Sequence, residues 1–484
     1  MKFTFNKQFM VLMFLLLNCF AGYAANEYLL TKQITLKLTE AGTLPNKIAS
    51  SEKNLVTNLK IIGEINGTDL RFIREMAGCD VEGYRTSGIL SVLDLSEARF
   101  VAGGDNYYYS CYTSNDIIGK YAFCGCSSLT SVIIPSSVTE IEKYAFWGCS
   151  SLINVNISSS VTEIGEDAFE KCSSLTSVNI PSSVTEIGKD AFKDCSSLTS
   201  VNIPSSVTKI ESGTFNYCTS LASVTISSGV TGIGELAFGN CSSLTSVDIP
   251  SSVTTIGGSA FEGCSSLTSV NISSSVKEIG GYAFQGCSSL TSINIPSSVI
   301  EIGGWAFCNC SSLISVKIPS NVTEIGEFAF SGCSSLTSVK IPSSVTSIGE
   351  FAFSGCTSLT SVNIPLRVTS IGESAFSDCT GLRSIYVYAE TVPSIGAGAF
   401  KGCDSKNCTV YVPKGTYDAY WYSKWGYFDN IVEFDATNIR NIVVEPEAQE
   451  TARYAVNGQR LTAPVKGINL VKYNNGRVKK EIVK

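Results

Sequence analysis

Residues 172–194 read CSSLTSVNIPSSVTEIGKDAFKD, and about twelve close copies of this stretch fill the middle of the chain. Cysteine returns every 23 residues from Cys126 to Cys379, and a last copy begins at Cys403 after 24 residues. A fixed period of about 20 to 30 residues predicts a solenoid, in which each unit stacks on its neighbours. The period therefore indicates a repeat array over residues 117–402.

Each unit changes its hydrophobic pattern as it proceeds. Apolar and polar residues first alternate, as in Val178-Asn179-Ile180, which predicts a strand. Proline follows in most units and ends the strand because it has no N–H to donate. A second short extended segment comes next, and the Ala-Phe-x-x-Cys segment after it has the spacing of a single helical turn. One unit cannot bury its apolar residues alone, so the stacked units are expected to share one elongated core.

The unit LxxVxIPxxVxxIGxxAFxxC resembles the BspA-like bacterial leucine-rich repeat, a class with 23 residues per repeat found on surface proteins of Bacteroidetes and spirochaetes. It departs from the general leucine-rich pattern because proline or serine replaces the buried asparagine after the strand. The resemblance implies an α/β solenoid: a right-handed superhelix with a face of parallel strands, short second strands and single helical turns. It also implies a surface location and binding to host matrix proteins or to other bacteria.

The chain outside the array divides into four further segments. Two early lysines, an apolar run and an Ala-x-Ala-like site predict a secretory signal peptide over residues 1–24. Residues 25–116 are expected to cap the first unit, since a solenoid must shield its first rung. Their INGTDLRFIREMAG stretch also resembles the opening module of the same family. The aromatic-rich residues 403–435 predict a C-terminal cap.

Residues 436–484 predict a β-rich tail, with hairpin turns at Asn457-Gly458 and Asn475-Gly476. This tail resembles the small C-terminal sorting module of exported Bacteroidetes proteins. A plain β-appendage without a sorting role is the alternative.

Export and composition limit the class of function. The predicted signal peptide places the mature protein outside the cell or on its outer surface, and a lipid on Cys19 is an alternative anchor. No stretch reaches the roughly 18 apolar residues that a membrane span needs. The sequence has no histidine, which excludes histidine-activated nucleophiles and histidine-ligated metal sites. The net charge of −7 gives no argument for nucleic acid as a partner.

The sequence predicts no enzyme, metal site or cofactor. One repeat position, ahead of an inward isoleucine, often carries glutamate, and these carboxylates are expected to form a solvated rim rather than a catalytic pair. They are Glu140, Glu163, Glu186, Glu301 and Glu324. The CxC pairs Cys124/Cys126 and Cys308/Cys310 lack a matching second pair for zinc.

The cysteines fall into two groups. Those repeated once per unit are expected to be buried free thiols that act as small apolar side chains. Two pairs are candidate disulfides at the caps: Cys79 with Cys111, which lie outside that series, and the last repeated cysteine, Cys403, with Cys408.

Two surfaces are candidate ligand-binding sites. In four consecutive units, the residue before the repeated alanine is a large aromatic: Tyr282, Trp305, Phe328 and Phe351. Exposed in register, these rings would form an apolar stripe typical of an interaction site, or they complete the packing of the turn below them. The outward face of the first strand is small and polar and carries the other candidates, Asn271, Asn294, Lys317 and Lys340. Mutually satisfied Asn and Ser ladders would explain that face without a ligand.

These features predict a non-catalytic repeat protein displayed at the cell surface. Its expected partners are host extracellular matrix or cell-surface proteins, or surface proteins of other bacteria, with affinity raised by multivalent display. Binding of an extended polysaccharide through the aromatic residues is one alternative. A structural spacer without a ligand is the other.

Overall fold

The computed structural model describes residues 31–435 and, in the tail, residues 450–455, 460–461, 463, 466–473 and 478–483. The predicted signal peptide, Cys19 and the two Asn-Gly turns lie outside the described residues. The described chain forms a parallel β-solenoid of about 17 turns, so the fold predicted from the 23-residue period is confirmed.

One strand of each turn lies on what we term the main face. Within the repeats, successive strands pair in parallel with an offset of one unit, as Ser200 does with Ser223. Valine and isoleucine of each strand point into the core and their neighbours point to solvent, which confirms the predicted alternation. The main-face strands are Ile34–Lys37, Asn58–Ile65, Val92–Phe100, Ser131–Ile133, Asn154–Asn156, Ser177–Val178, Ser200–Ile203, Ser223–Ile226, Ser246–Asp248, Ser269–Asn271, Ser292–Asn294, Ser315–Lys317, Ser338–Lys340, Ser361–Ile364, Ser384–Val387, Thr409–Pro413 and Asn430–Phe434.

A second strand of two residues follows in each repeat. The Val184 N–H donates to the Pro181 carbonyl at 3.0 Å and closes the turn between the two strands. Glycine usually follows the second strand because the rungs touch there: a Cβ on Gly188 would lie 2.4 Å from the backbone nitrogen of Glu166. The second strands are Ile117–Ile118, Glu140–Ile141, Glu163–Ile164, Glu186–Ile187, Lys209–Ile210, Gly232–Ile233, Thr255–Ile256, Glu278–Ile279, Glu301–Ile302, Glu324–Ile325, Ser347–Ile348, Ser370–Ile371 and Ser394–Ile395.

The segment after the second strand is a run of turns and not the predicted single helical turn. Its N–H groups alternate between two kinds of acceptor. Ala191 donates to Gly188 within its own rung at 3.3 Å, whereas Phe192 donates to the Thr214 carbonyl of the next rung at 2.9 Å. Asp190, just before them, has a φ of 53° in the left-handed region. An α-helix needs successive N–H groups to bond back along the same segment, so bonding between rungs excludes it.

The core is one continuous stack of side chains along the solenoid. Each repeat buries one phenylalanine, from Phe123 to Phe400, and neighbouring rings lie nearly parallel with centroids 5.0 to 5.5 Å apart. Beside the rings, each repeated thiol donates to a phenylalanine carbonyl of the preceding rung, as Cys264 does to Phe238 at 3.2 Å. Burial raises the pKa of the Cys264 thiol to about 12. The repeated cysteines are therefore free thiols, as predicted, and burial keeps those from Cys126 to Cys356 neutral.

The two candidate disulfides are not formed, and that prediction was wrong: Cys79, Cys111, Cys403 and Cys408 are all free thiols. The Cys79 sulfur lies 3.3 Å from a guanidinium nitrogen of the buried Arg74. The Cys403 thiol donates to a carbonyl of the preceding rung at 3.2 Å, as the repeated cysteines do. Neither sulfur therefore bonds to its predicted cysteine partner.

The N-terminal residues add a helix to the first turns of the solenoid. The helix Gly67–Met76 begins after Asn66, which forms a capping box with Asp69. The Arg74 guanidinium of this helix donates to the Tyr121 carbonyl at 2.7 Å and so ties the helix to the first repeat. The remaining elements here are the 3-10 helices Leu44–Asn46 and Lys53–Leu55 and the hairpin strands Gly103–Tyr108 and Cys111–Thr113.

At the other end, the helix Tyr417–Trp421 and the 3-10 helix Lys424–Tyr427 pack on the last rungs. The buried Tyr420 hydroxyl donates to the Ala389 carbonyl at 2.6 Å, and the buried Trp425 indole donates to Pro393 at 3.1 Å. The described tail residues form an antiparallel sheet of the strands Glu450–Ala455, Arg460–Leu461, Gly467–Tyr473 and Val478–Val483. No helix within the described residues is long and apolar enough to cross a membrane.

Candidate functional site

The four predicted aromatic residues lie on consecutive rungs in the run of turns, and their rings stack on one another. The centroids are 5.5 Å apart for Tyr282 and Trp305, 3.8 Å for Trp305 and Phe328, and 4.5 Å for Phe328 and Phe351. Tyr282 has 42% of its surface exposed, and the other three side chains are half-buried. We term these four side chains the aromatic edge.

The backbone of the aromatic edge lies in the left-handed region. The φ angles of its four residues are between 52° and 62°. A residue with a side chain adopts this region at a cost of roughly 1–2 kcal/mol, whereas glycine adopts it freely. Other rungs carry Gly213, Gly398 or Ser259 at the same repeat position. The fold therefore does not require an aromatic ring there.

Stacking determines which part of each ring a ligand can contact. Trp305 and Phe328 have a neighbouring ring on both sides, so both of their faces are covered. Only the outer faces of Tyr282 and Phe351 have no ring stacked on them. Elsewhere the aromatic edge presents ring edges, which are apolar and carry a slightly positive potential.

Six exposed glutamates flank the aromatic edge in two columns. One column belongs to the second strands and consists of Glu278, Glu301 and Glu324. The other immediately precedes the left-handed position and consists of Glu327, Glu350 and Glu373. No ion pair with another described residue involves any of these six, whereas earlier rungs have pairs such as Lys143 with Glu166 at 2.7 Å.

The other four candidate residues lie on the main face and do not join the aromatic edge. Asn294, Lys317 and Lys340 are register partners on neighbouring strands, and Asn271 pairs with Asp248. All four candidates are exposed. The predicted site residues therefore belong to two separate surfaces.

An aromatic cluster at the C-terminal end of the main face was not among the predicted site residues. Tyr386 and Tyr411 stack with centroids 4.5 Å apart, and Phe434 meets Tyr386 edge-on at 6.1 Å. Both tyrosines continue the register column of Asn363. The signal available in the sequence was Tyr386, which stands where most earlier repeats carry asparagine.

A pair of buried carboxyl groups lies on the same side of the solenoid as the aromatic edge, nearer the N terminus. Asp167 occupies the repeat position of Tyr282 and has 7% of its surface exposed. Glu170 is equally buried and accepts a hydrogen bond from the Trp147 indole at 2.8 Å. Desolvation and the hydrogen bond to Glu170 raise the pKa of Asp167 to about 6. Among the described residues, no three acidic or cysteine side chains are grouped to hold a metal ion.

The sequence matches the BspA type leucine rich repeat region in six copies, over residues 109–222, 185–314 and 306–423. A solved leucine-rich repeat protein of Bacteroides ovatus is 32% identical, covers 69% of this chain and 90% of its own, and superposes with a TM-score of 0.54. A leucine rich cell surface protein of Faecalibacterium prausnitzii is also 32% identical, with 72% and 90% covered and a TM-score of 0.45. Among the curated proteins compared with the chain, none matches. Because the repeat match spans more than half of the sequence, the chain belongs to the BspA-type leucine-rich repeat family.

Proposed function

We propose that this protein is an exported, non-catalytic adhesin displayed at the cell surface. Its aromatic edge contacts a host matrix or cell-surface protein, or a surface protein of another bacterium. BspA-type repeat proteins are typically cell-surface proteins, and leucine-rich repeat proteins are generally non-catalytic. The observation that carries the proposal is the row of four large rings at positions where the backbone favours glycine.

The energetics of these positions support a role in binding. Each ring belongs to a residue whose backbone lies in the left-handed region, and this conformation lowers the stability of the fold by roughly 1–2 kcal/mol. Stacking returns only about 0.5–1.5 kcal/mol per ring pair. The core does not need these rings, because Phe284, Phe307 and Phe330 already fill the interior of the same rungs. Aromatic side chains that are partly accessible at the surface, as these four are, are typical of binding hot spots.

The orientation of the rings favours a protein ligand over a polysaccharide. A sugar ring stacks on an aromatic face, and within the aromatic edge most faces are covered by the next ring. The row of ring edges suits the apolar side chains of a protein, which pack without requiring an open face. A polysaccharide would have only the outer faces of Tyr282 and Phe351.

The test is a binding screen of the mature chain against arrayed matrix proteins, bacterial cells and polysaccharides. Its key variant replaces all four residues of the aromatic edge with serine. Ser259 and Ser374 occupy the same repeat position, so the array already accommodates serine there. The matched control, Tyr121→Ser with Tyr144→Ser, removes another stacked ring pair from this position.

Binding to a protein that weakens at least tenfold in the four-serine variant, and not in the control, is the expected result. Inhibition by a soluble polysaccharide would instead favour the glycan alternative. No binding by either form would favour the spacer.

A further inference from the structure

The charges around the aromatic edge indicate the chemistry of its partner. We infer that the aromatic edge and its two glutamate columns bind an extended protein segment rich in lysine or arginine. This inference rests on the proposed function and narrows its partner to a basic one.

The column of Glu327, Glu350 and Glu373 adjoins the rings through the backbone of the array. The Trp305 N–H donates to the Glu327 carbonyl at 2.8 Å, and Phe351 donates to Glu373 at the same distance. Phe328 bonds to Glu350 in the same way. Each ring in these three rungs is therefore next to a glutamate of the following rung, and this column shares a surface with the rings.

None of these six carboxylates forms an ion pair with another described residue, although Lys277 stands beside Glu278 in the chain. In the first half of the array, Lys143 pairs with Glu166 and Lys209 with Glu211. In the rungs of the aromatic edge, Lys317 and Lys340 lie on the main face instead. The rungs of the aromatic edge thus carry more exposed glutamates than basic residues beside them, and Lys277 is the one lysine next to these glutamates in the described array.

Glutamates stacked in register repel one another, and a basic partner would reduce this repulsion. Glu278 and Glu301 are register partners on adjacent strands, which lie about 4.8 Å apart. Like charges directly opposite one another in a sheet are destabilising. A lysine or arginine approaching the columns would neutralise this repulsion, while an acidic protein or a sulfated glycan would increase it.

The apolar rings suit the other half of a basic side chain. Lysine and arginine pack their methylene groups along apolar surface while the charged end reaches a carboxylate. Four rungs at about 4.8 Å spacing match an extended segment of about five residues, at about 3.3 Å per residue. A short stretch with alternating basic and apolar residues would therefore contact both the rings and the glutamates.

The test uses the mature chain and a fluorescein-labelled octapeptide of alternating lysine and valine. Binding is followed by fluorescence anisotropy at about 20 mM and about 300 mM salt, since screening weakens exposed charge interactions. An octapeptide with glutamate in place of lysine is the reference ligand. The protein variant is Glu327→Gln, Glu350→Gln and Glu373→Gln together.

The matched control variant is Glu140→Gln, Glu163→Gln and Glu186→Gln, which removes the same number of charges from rungs outside the aromatic edge. We expect the basic peptide to bind and the acidic one not to bind. The dissociation constant of the basic peptide should rise at least tenfold in the first variant and at high salt, and less than twofold in the control.

Equal weakening in both variants, or no preference for the basic peptide, would overturn the inference. In that event, a protein ligand from the binding screen that still depends on the four rings would leave the adhesin proposal standing. Loss of that dependence would refute the adhesin proposal itself.

Discussion

Replacing Asp167 with asparagine is predicted to stabilise the array at neutral pH. The pKa of this buried carboxyl, about 6, lies roughly two pH units above the usual value of about 3.9. Between those two values the folded chain holds a proton that the unfolded chain has released. Stability therefore falls as the pH rises through this window, and it stays lower above it.

The magnitude follows from the size of that window. A pKa shift of two units, at about 1.4 kcal/mol each, limits the gain in unfolding free energy from Asp167→Asn to about 3 kcal/mol. Lys171 and Lys193 lie 3.3 and 3.9 Å from Glu170, the hydrogen-bonding partner of Asp167. Because these lysines reduce the repulsion between the two carboxylates, we expect a gain of about 1–2 kcal/mol in the unfolding free energy. Asparagine keeps a donor toward Glu170 and carries no charge.

The assay is urea unfolding of the wild type and Asp167→Asn at about pH 4 and about pH 7.5, followed by circular dichroism. Hydrogen exchange over residues 163–195 would locate the change, since repeat arrays open locally. The control is Asp190→Asn on the next rung, where the carboxylate lies 3.7 Å from Lys193 and its loss should give no gain. Equal stability of the wild type and Asp167→Asn at neutral pH would refute the reasoning.

Three further predictions concern the core, the thiols and the tail. Phe261→Ala should lower the unfolding free energy by about 3–5 kcal/mol, measured by urea unfolding, because this fully buried ring stacks on both neighbours; a loss below about 1 kcal/mol would contradict the ring stack. Mass spectrometry of the native protein after brief treatment with a thiol reagent should show the half-buried Cys111 labelled before Cys264, whose raised pKa and burial keep it a shielded thiol. Deleting residues 436–484 should lower the amount of protein at the cell surface, and an unchanged amount in a surface-protease assay would leave the tail as a plain appendage.

The fold of the repeat array was predictable because every unit repeats the same pattern of apolar and polar residues. Val178 and Ile180 point inward and Asn179 outward, as simple alternation requires. The spacing of Ala191 and Phe192 suggested a helical turn because sequence spacing reveals side-chain direction but not hydrogen-bond acceptors. In a stacked array those acceptors lie one unit further along the chain, and they decided the local conformation.

The candidate site was predictable in its residues and not in its geometry. The series from Tyr282 to Phe351 was visible as four aromatics at one repeat position. Their left-handed backbone and mutual stacking depend on contacts between rungs, which a single unit does not encode. The partner of Tyr386 was hidden for a related reason: Tyr411 lies beyond the last regular repeat, where the 23-residue period no longer gives the register.

The residue-for-residue register of the rungs has a consequence for how such a protein can change. Because each unit bonds only to the units before and after it, inserting or removing one whole copy would leave every other interface intact. Recombination between the nearly identical gene segments would therefore lengthen or shorten the molecule in steps of about 4.8 Å. The number of repeats, rather than any point mutation, would therefore set the distance between the N-terminal helix and the aromatic edge.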